Sequence, residues 1–377
     1  MVSIWEQESF FAPQDVVIVG SGFVGLWSAF YLKKKRPGLK ITIVDRGFIP
    51  TGASTRNAGF ACFGSLSEIV ADAQAMGTDR MLELVEMRYK GLGRIRKHFS
   101  DEDIDFDLCG GYELYEAADA ATLAEQMDYI NSLLKPITGI KKTYVPADEC
   151  IASFGFGRTR HMVYNPLEGY LHAGKLVQAL LHKVQGMGVQ VFTQTEILSY
   201  TRSGDRLELV TNQPVKLSAR QLLLCTNAFT RQLLPDIDII PARGQVLLTS
   251  PIEGLPWNGT FHAEEGYYYF RNLGNKVLLG GARNKAFEEE ATHEMQPTVL
   301  IRAALESYLE EVVLPNYKGQ YTIERCWAGI MAMGGEKMPI VKEAEPSVFC
   351  AVRMSGMGVA LAPVVAKQIT TQMMEAL

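Results

Sequence analysis

The sequence predicts an α/β fold of two interleaved domains, one built on parallel strands and the other an α+β domain built on an antiparallel sheet. Three observations predict it. Continuous aliphatic runs, the pattern of strands buried on both faces, fall at the start, middle and end of the chain. Runs with strand-like alternation and turn residues fall between them. The 377 residues, 47% of them hydrophobic, suffice for two substantial cores.

In chain order, Val16-Val17-Ile18-Val19 reads as a buried strand, 26–32 as a helix closed by Pro37-Gly38, and 41–44 as a second buried strand. Residues 76–99 have helical spacing and many charges, and Gly110-Gly111 leads into an alternating strand at 112–115. A second helical region spans 121–134, and 173–191 reads as helix, Gly186-Met187-Gly188 turn and strand. Residues 222–224 form a short buried strand ending in Cys225-Thr226-Asn227. Residues 245–249, 267–271 and 276–279 read as successive antiparallel strands, the last two joined by the hairpin turn Asn272-Leu273-Gly274-Asn275. A strand at 348–352, a tight turn at 355–358 and a mostly apolar helix at 359–374 close the chain. The expected division is 1–95, 145–235 and 325–377 for the first domain, and 96–144 and 236–324 for the second.

Composition excludes several classes. A net charge of -5, with no long run of one sign beyond 33–36, gives nucleic-acid binding little support. Six cysteines without C-x-x-C spacing disfavour a zinc cluster or a disulfide framework, so no metal site is expected and a reducing, cytoplasmic setting is. The longest apolar stretch, 16–32, is broken by glycines and preceded by Glu6 and Glu8, which argues against a signal peptide or a membrane span. No internal repeat is present.

The segment Gly20-Ser21-Gly22-Phe23-Val24-Gly25 fits G-x-G-x-x-G, after a predicted strand and opening a predicted helix. The first glycine makes the tight turn, the second lets backbone approach a pyrophosphate, and the third lets helix and strand pack closely. Unpaired N–H groups at the helix start then face the phosphates. Asp45 ends the second strand about 20 residues on, where a carboxylate accepts from an adenosine ribose. That carboxylate would repel a 2'-phosphate, which argues against NADP and leaves NAD and FAD. The next stretch, 51–60, is rich in small residues; composition leaves it either an ordinary loop or a backbone cradle for a flat ring system.

Taken together these segments resemble the D-amino acid oxidase type of FAD-dependent oxidoreductase. The resemblance runs through Asp45-Arg46, the loop 52–59, Gly169-Tyr170-Leu171-His172, Cys225-Thr226-Asn227-Ala228, Pro241-Ala242-Arg243-Gly244-Gln245, Trp327-Ala328-Gly329 with Pro339, and Ser355-Gly356-Met357-Gly358-Val359. The leader containing Trp5 and the G-A-S-x-R-N-x-G loop are most similar to the gamma-glutamylputrescine oxidase branch, beside glycine oxidase relatives. The resemblance implies a Rossmann-type, glutathione-reductase-like FAD domain and a substrate domain whose antiparallel sheet roofs the flavin. It also implies the cofactor residues. They are Gly20, Ser21, Gly22, Phe23, Val24, Gly25, Asp45 and Arg46, then Ala53, Ser54, Thr55, Arg56, Asn57, Gly59, Phe60 and Ala61. Glu196 and Ile197 would meet the adenine by main-chain contacts. Cys225, Thr226, Asn227, Trp327 and Gly329 follow, and the turn Ser355, Gly356, Met357, Gly358 and Val359 would face the flavin N1 and C2 carbonyl.

Two departures bear on substrate and attachment. Where amino-acid-oxidising members carry an arginine that clamps the substrate carboxylate, this chain has Met331. A charged hydrogen bond is worth about 1.5 to 3 kcal/mol, so its loss weakens carboxylate binding by about ten- to a hundredfold. An amine is therefore expected over a simple amino acid, unless Arg271 or Arg283 takes over. No cysteine lies between Trp327 and Pro339, and Cys326 lies outside the aligned position, so FAD is expected to be non-covalent. Pro339-Ile340-Val341 also replaces the family's usual P-x-I-G ending.

The expected chemistry is transfer of a hydride equivalent from the carbon beside an amine nitrogen to flavin N5, giving an imine that water hydrolyses, with oxygen as acceptor and hydrogen peroxide as product. The small-molecule substrate would meet Tyr267, Tyr269, Met331, His262 and Arg283, with Tyr267 and Tyr269 on one face of a strand. Core tyrosines and a satisfied loop histidine are the plainer readings of these residues. Cys62 reads as a small packed residue, and Arg56 and Arg243 as braces equally well as ligand contacts. Two alternatives stay open: an amino-acid oxidase or dehydrogenase passing electrons to a quinone or carrier, and a non-catalytic flavin-binding protein.

Overall fold

The computed structural model describes residues 2–377; residue 1, the first position of the expected first domain, lies outside them. The chain divides into two compact units that interleave in sequence. One gathers the chain up to Thr55 with Ala173–Pro241 and Met331–Leu377; the other holds Arg56–His172 and Ala242–Ile330.

In the first unit the aliphatic runs become a parallel sheet, because a strand buried on both faces needs apolar side chains in both directions. Gln14–Val19 lies at its centre, parallel to Ile41–Val44 on one side and to Lys216–Leu224 on the other. Gln190–Phe192 extends one wing, Val348–Val352 the other, both parallel. Ile340–Glu345 and the hairpin Ile197–Ser203 with Arg206–Thr211 add antiparallel strands. The helix Phe23–Lys35 packs against Gly358–Glu375 and Ala173–Gly186. Its last turn is less exposed than its charge suggests: Lys33 is buried and donates to the carbonyls of Pro37 and Leu39.

In the second unit the sheet runs Ile323–Met333, Ile240–Thr249, Lys276–Gly281, Tyr268–Leu273, Thr260–Ala263, Gly111–Tyr115, His161–Asn165, Val145–Pro146. Thr260–Ala263 pairs parallel with Gly111–Tyr115, and the pairings on either side of these two are antiparallel. Two-residue periodicity divides its faces. On one, Phe261 and Phe270 stack at 4.7 Å amid Leu247, Val277 and Leu279, covered by the helix Val299–Tyr308. The other carries Val246, Leu248, Leu278 and Tyr269, with Phe60 and Trp327 packed on it.

The units differ in their limits from the expected domains. Residues 56–95, 145–172 and 325–330 fall in the second unit and 236–241 in the first. The cause is pairing: His161–Asn165 bonds to Gly111–Tyr115, and the helices Leu66–Met76 and Thr78–His98 pack with Ala120–Thr138. Helical spacing shows that a helix has an apolar face but not which partner covers it.

Candidate functional site

In the first unit, the functional residues gather at the carboxyl ends of the parallel strands, where the strand order turns outward in both directions from Gln14–Val19. That switch point is where open α/β sheets bind ligands. Gly20 has φ +104°, and a Cβ there would stand 2.8 Å from the Cys225 carbonyl oxygen; at Gly25 a Cβ would stand 2.0 Å from the Gly20 carbonyl oxygen. Both positions are therefore closed to any side chain. The helix Phe23–Lys35 starts at Gly22 with no side-chain cap of its own. Ser54, in the short turn Ala53–Thr55, accepts from the Phe23 N–H at 2.9 Å, and Thr55 is tied to the Pro50 carbonyl at 2.6 Å. The remaining N–H groups of the first turn have no intrahelical acceptor.

Asp45 is held by the loop it serves. One carboxylate oxygen accepts from the Ser21 N–H at 2.8 Å and hydroxyl at 2.6 Å, the other from the Gly47 N–H at 2.8 Å. The oxygen that accepts from Gly47 keeps a second lone pair for a ribose hydroxyl. Arg46 stacks on Phe229 at 3.8 Å. Glu196 comes close to Asp45 because the Thr195 N–H donates to the Asp45 carbonyl at 2.8 Å. The main-chain role expected of Glu196 is restricted, since its N–H donates to the Asn212 side chain and its carbonyl accepts from the Asn212 N–H. Ile197 begins a strand, paired with Thr211.

The turn at 355–358 lies in the same unit. Ser355 and Gly356 have φ +46° and +84°, and the helix Gly358–Glu375, which Val359 continues, starts after Met357 without a side-chain cap. The Ser355 hydroxyl is buried with no hydrogen-bond partner among the described residues. Met331 meets this turn: its Sδ lies 3.5 Å from where a Cβ on Gly356 would stand. Asn227, at φ +46°, accepts from the Arg353 N–H at 3.2 Å. Sequence reasoning missed Arg353. Buried at φ +64°, it donates to the Met338 carbonyl and pairs with Asp238, so it fixes the segment before the turn. An arginine inside an apolar run was the available signal. Thr226 shares a hydroxyl contact with Thr230 at 2.9 Å.

The second unit holds the other half of the expected loop. The Asn57 side chain accepts from the Gly59 N–H at 2.8 Å, and Gly59, at φ +75°, has room for no Cβ because the Leu171 carbonyl would lie 2.2 Å away. Phe60 and Ala61 pair with Tyr170 and Gly169, which joins two segments that the sequence reading had linked only by their order. Arg56 donates to the Ala328 carbonyl at 2.9 Å and its own carbonyl accepts from the Trp327 indole at 3.0 Å, so it braces the strand that also carries Gly329. Arg243 is a brace too: its guanidinium holds both oxygens of Glu290 at 2.8 Å.

Of the substrate candidates, His262 and Tyr269 are register partners, and Phe60 meets both edge-on at 5.0 and 5.8 Å. Burial brings His262 down to about 4 and lifts Tyr269 to about 12, so both are neutral near pH 7. The His262 Nε2 is buried without a partner among the described residues. Tyr267 departs from expectation. It lies outside the strand, after the turn Glu264–Gly266, whose Glu264 and Glu265 have positive φ, and the strand begins at Tyr268. The shared-face argument for Tyr267 and Tyr269 accordingly fails. Arg271 is no spare clamp either: it donates to the Ala58 and Asn272 carbonyls at 2.7 and 3.1 Å and lies over Tyr170.

Two buried glutamates were missed. Glu168 accepts from the Phe63 and Gly64 N–H groups at 2.8 and 3.2 Å, and burial pushes it up to about 8. Glu113, also raised by burial, accepts from the Ser67 N–H and the Tyr115 hydroxyl. They fix the chain just after Phe60 and Ala61.

The closed approaches at Gly20 and Gly25, two uncapped helix starts and the unpartnered Ser355 hydroxyl fit an anionic dinucleotide, and with Asp45 they define a Rossmann-type dinucleotide-binding protein. Residues 15–372 match the family described as FAD dependent oxidoreductase, and the chain belongs to it. It is an oxidoreductase whose cofactor is FAD. A glycine oxidase of Pseudomonas aeruginosa is 24% identical over 345 residues, covering 87% of this chain and 85% of its own. A D-amino acid dehydrogenase of Vibrio atlanticus is 22% identical, covering 87% and 88%. The solved L-proline dehydrogenase from P. horikoshii superposes with a TM-score of 0.78 at 17% identity, covering 96% of this chain and 94% of that one, which is a likeness of fold. No helix among the described residues is long and apolar enough to cross a membrane, and none of their acidic, histidine and cysteine side chains cluster to hold a metal.

Proposed function

We propose that the chain oxidises the C–N bond of a small-molecule amine, with oxygen as the acceptor. The bound flavin supplies a two-electron sink. The substrate loses two electrons and two protons to become an imine, and water hydrolyses the imine to a carbonyl compound and ammonia or a smaller amine. Oxygen takes the two electrons and two protons and leaves as hydrogen peroxide. The residues have to orient a neutral amine and exclude water; no acid–base dyad is required.

The observation that carries the choice of amine is Met331. It lies beside the turn at Gly356 with a thioether where a carboxylate clamp would need a guanidinium. On the second unit, neutral His262 and Tyr269 beside Phe60 offer an aromatic, uncharged lining suited to an amine. Non-covalent attachment is supported by Cys326, which packs on the aromatic core while its neighbour Trp327 packs on the opposite face. Cys62 is buried and its thiol is pushed far up by burial, which supports a packing role and no redox one. Six unpaired cysteines support a reducing, cytoplasmic setting.

A second reading has its own support: relatives named D-amino acid dehydrogenase and L-proline dehydrogenase favour an amino-acid dehydrogenase that hands electrons to another acceptor. Oxygen uptake and peroxide release, measured with mono-, di- and gamma-glutamylated amines and with a quinone analogue, separate the two. Stoichiometric peroxide from an amine is expected. Turnover that requires the quinone analogue, or that occurs only with amino acids, would overturn the proposal; preference for a gamma-glutamylated amine would place the chain with the gamma-glutamylputrescine oxidase branch.

A further inference from the structure

Phe60 and Ala61 are held by a ladder of only two residue pairs, to Tyr170 and Gly169, which the Leu171 N–H prolongs at one end by donating to the Gly59 carbonyl. A two-stranded ladder this short is marginal by itself. At the other end the Glu168 side chain continues it. Its Oε1 accepts from the Phe63 N–H at 2.8 Å and the Gly64 N–H at 3.2 Å. Arg88 and the Tyr144 hydroxyl donate to the carbonyls of the same two residues.

Glu168 is buried, and its other oxygen, Oε2, has no donor among the described residues; it would stand 2.3 Å from a Cβ on Gly111. The charged groups around it are Glu68 on the helix Leu66–Met76, Glu113 on the strand Gly111–Tyr115 and Arg88 on the helix Thr78–His98, with Cys62 and Tyr144 as further titratable neighbours. Arg88 is already paired with Glu68 at 3.1 Å, so one cation faces three carboxyl groups. Burial first, then Glu68 and Glu113, push Glu168 up to about 8 against the pull of its two N–H donors. Ionised in place, it would carry charge on an oxygen without a donor beside two other acids.

We propose that Glu168 is a proton-held positioning residue: protonated, it keeps residues 60–64 closed and Phe60 edge-on to His262 and Tyr269, and on losing the proton it releases that segment. The closed segment keeps the proton to about pH 8, whereas a released carboxyl gives it up near 4.5. Closure is therefore fully favoured below that window and weakens about tenfold per pH unit as pH rises through it. The effect on turnover rests on the amine-oxidising reading above, since Phe60, His262 and Tyr269 form the lining assigned there to the amine. The latch itself does not.

Amide hydrogen exchange of the flavin-loaded protein from pH 6 to 8, corrected for the intrinsic rate, tests it on the parent, Glu168→Gln and Glu168→Ala. In the parent, protection of 60–64 is expected to lie below that of the strand Ile240–Thr249 and to fall about tenfold per pH unit. Glu168→Gln, neutral at every pH and still offering an oxygen to both N–H groups, should hold it level. Glu168→Ala should show low protection throughout. In amine oxidation the KM of the parent should match that of Glu168→Gln at pH 6 and exceed it about threefold or more above pH 8; the amine's own titration cancels in that ratio. Protection of 60–64 equal to that of the strand, a level parent profile, or the same slope in Glu168→Gln would overturn the proposal, as would KM values that agree at every pH. If Glu168→Gln does not fold, the parent's slope and its lower protection at 60–64 decide. Failure of every amine to be oxidised would defeat the amine-oxidising reading, while exchange would still test Glu168.

Discussion

Gly25 shows how tightly single atoms set the cofactor site. Its α-carbon approaches the Gly20 carbonyl so closely that a methyl group would overlap it, at 2.0 Å. Gly25→Ala must therefore push the helix Phe23–Lys35 away from the strand before it, and the first-turn N–H groups with it. Purified Gly25→Ala is expected to lose most of its bound FAD and to melt lower than the parent; full flavin content would contradict the assignment. Asp45 acts through Ser21. Asp45→Ala frees that loop and removes the ribose acceptor, so its FAD dissociation constant should rise by about ten- to a hundredfold, in line with the loss of a charged hydrogen bond of about 1.5 to 3 kcal/mol. Flavin fluorescence on dilution measures it, and an unchanged constant would exclude Asp45 from cofactor binding.

At the scale of elements, Arg271 links the strand Tyr268–Leu273 to the loop before Phe60. Arg271→Leu leaves the Ala58 and Asn272 carbonyls without their donor at a buried place. The expected cost is about 2 to 6 kcal/mol, at about 1 to 3 kcal/mol for each buried unsatisfied group. Chemical unfolding midpoints check it, and a loss below about 0.5 kcal/mol would make the arginine dispensable. Elements with steep local signals were legible in the sequence. The strand at 16–19, the glycine fingerprint and the hairpin at 272–275 each carry the chemistry that forms them, and Gly274 indeed has φ +60° in that turn. The hairpin of Ile197–Ser203 and Arg206–Thr211 passed unread, because its first strand is mostly exposed and mixed and the second buries only Leu207, Leu209 and Thr211 on one face. Tyr267 was misplaced for another reason: strand propensity continues through it, whereas the turn made by Glu264 and Glu265 at positive φ delays the start of the strand to Tyr268. The braces Glu113 and Glu168 left no pattern to find, since Ser67, Phe63 and Gly64, whose backbone N–H groups they hold, are distant in sequence.

Across the whole molecule, the buried titratable groups tie stability to pH. Folded Glu168 keeps its proton to about pH 8, whereas the unfolded chain releases it near 4.5. Over that window the folded state holds one proton more, so stability falls as pH rises. His262 works in the opposite sense: from about pH 4 to 6.5 the unfolded chain takes up a proton that the folded one refuses, so stability rises with pH. Below 6.5 the Glu168 and His262 slopes oppose each other; above it the His262 slope ends and that of Glu168 continues. Unfolding free energy should decline between pH 6.5 and 8 by up to about 1.4 kcal/mol per pH unit from this group, and Glu168→Gln should flatten the decline. An identical slope in the variant would show that Glu168 is ionised in the fold. The assignment of the whole chain to flavin-dependent oxidation of an amine is tested most directly by adding amines and amino acids to the purified protein without oxygen and following the flavin absorbance. Bleaching by an amine is the predicted result; bleaching only by simple amino acids such as glycine or D-alanine at low concentration would contradict it.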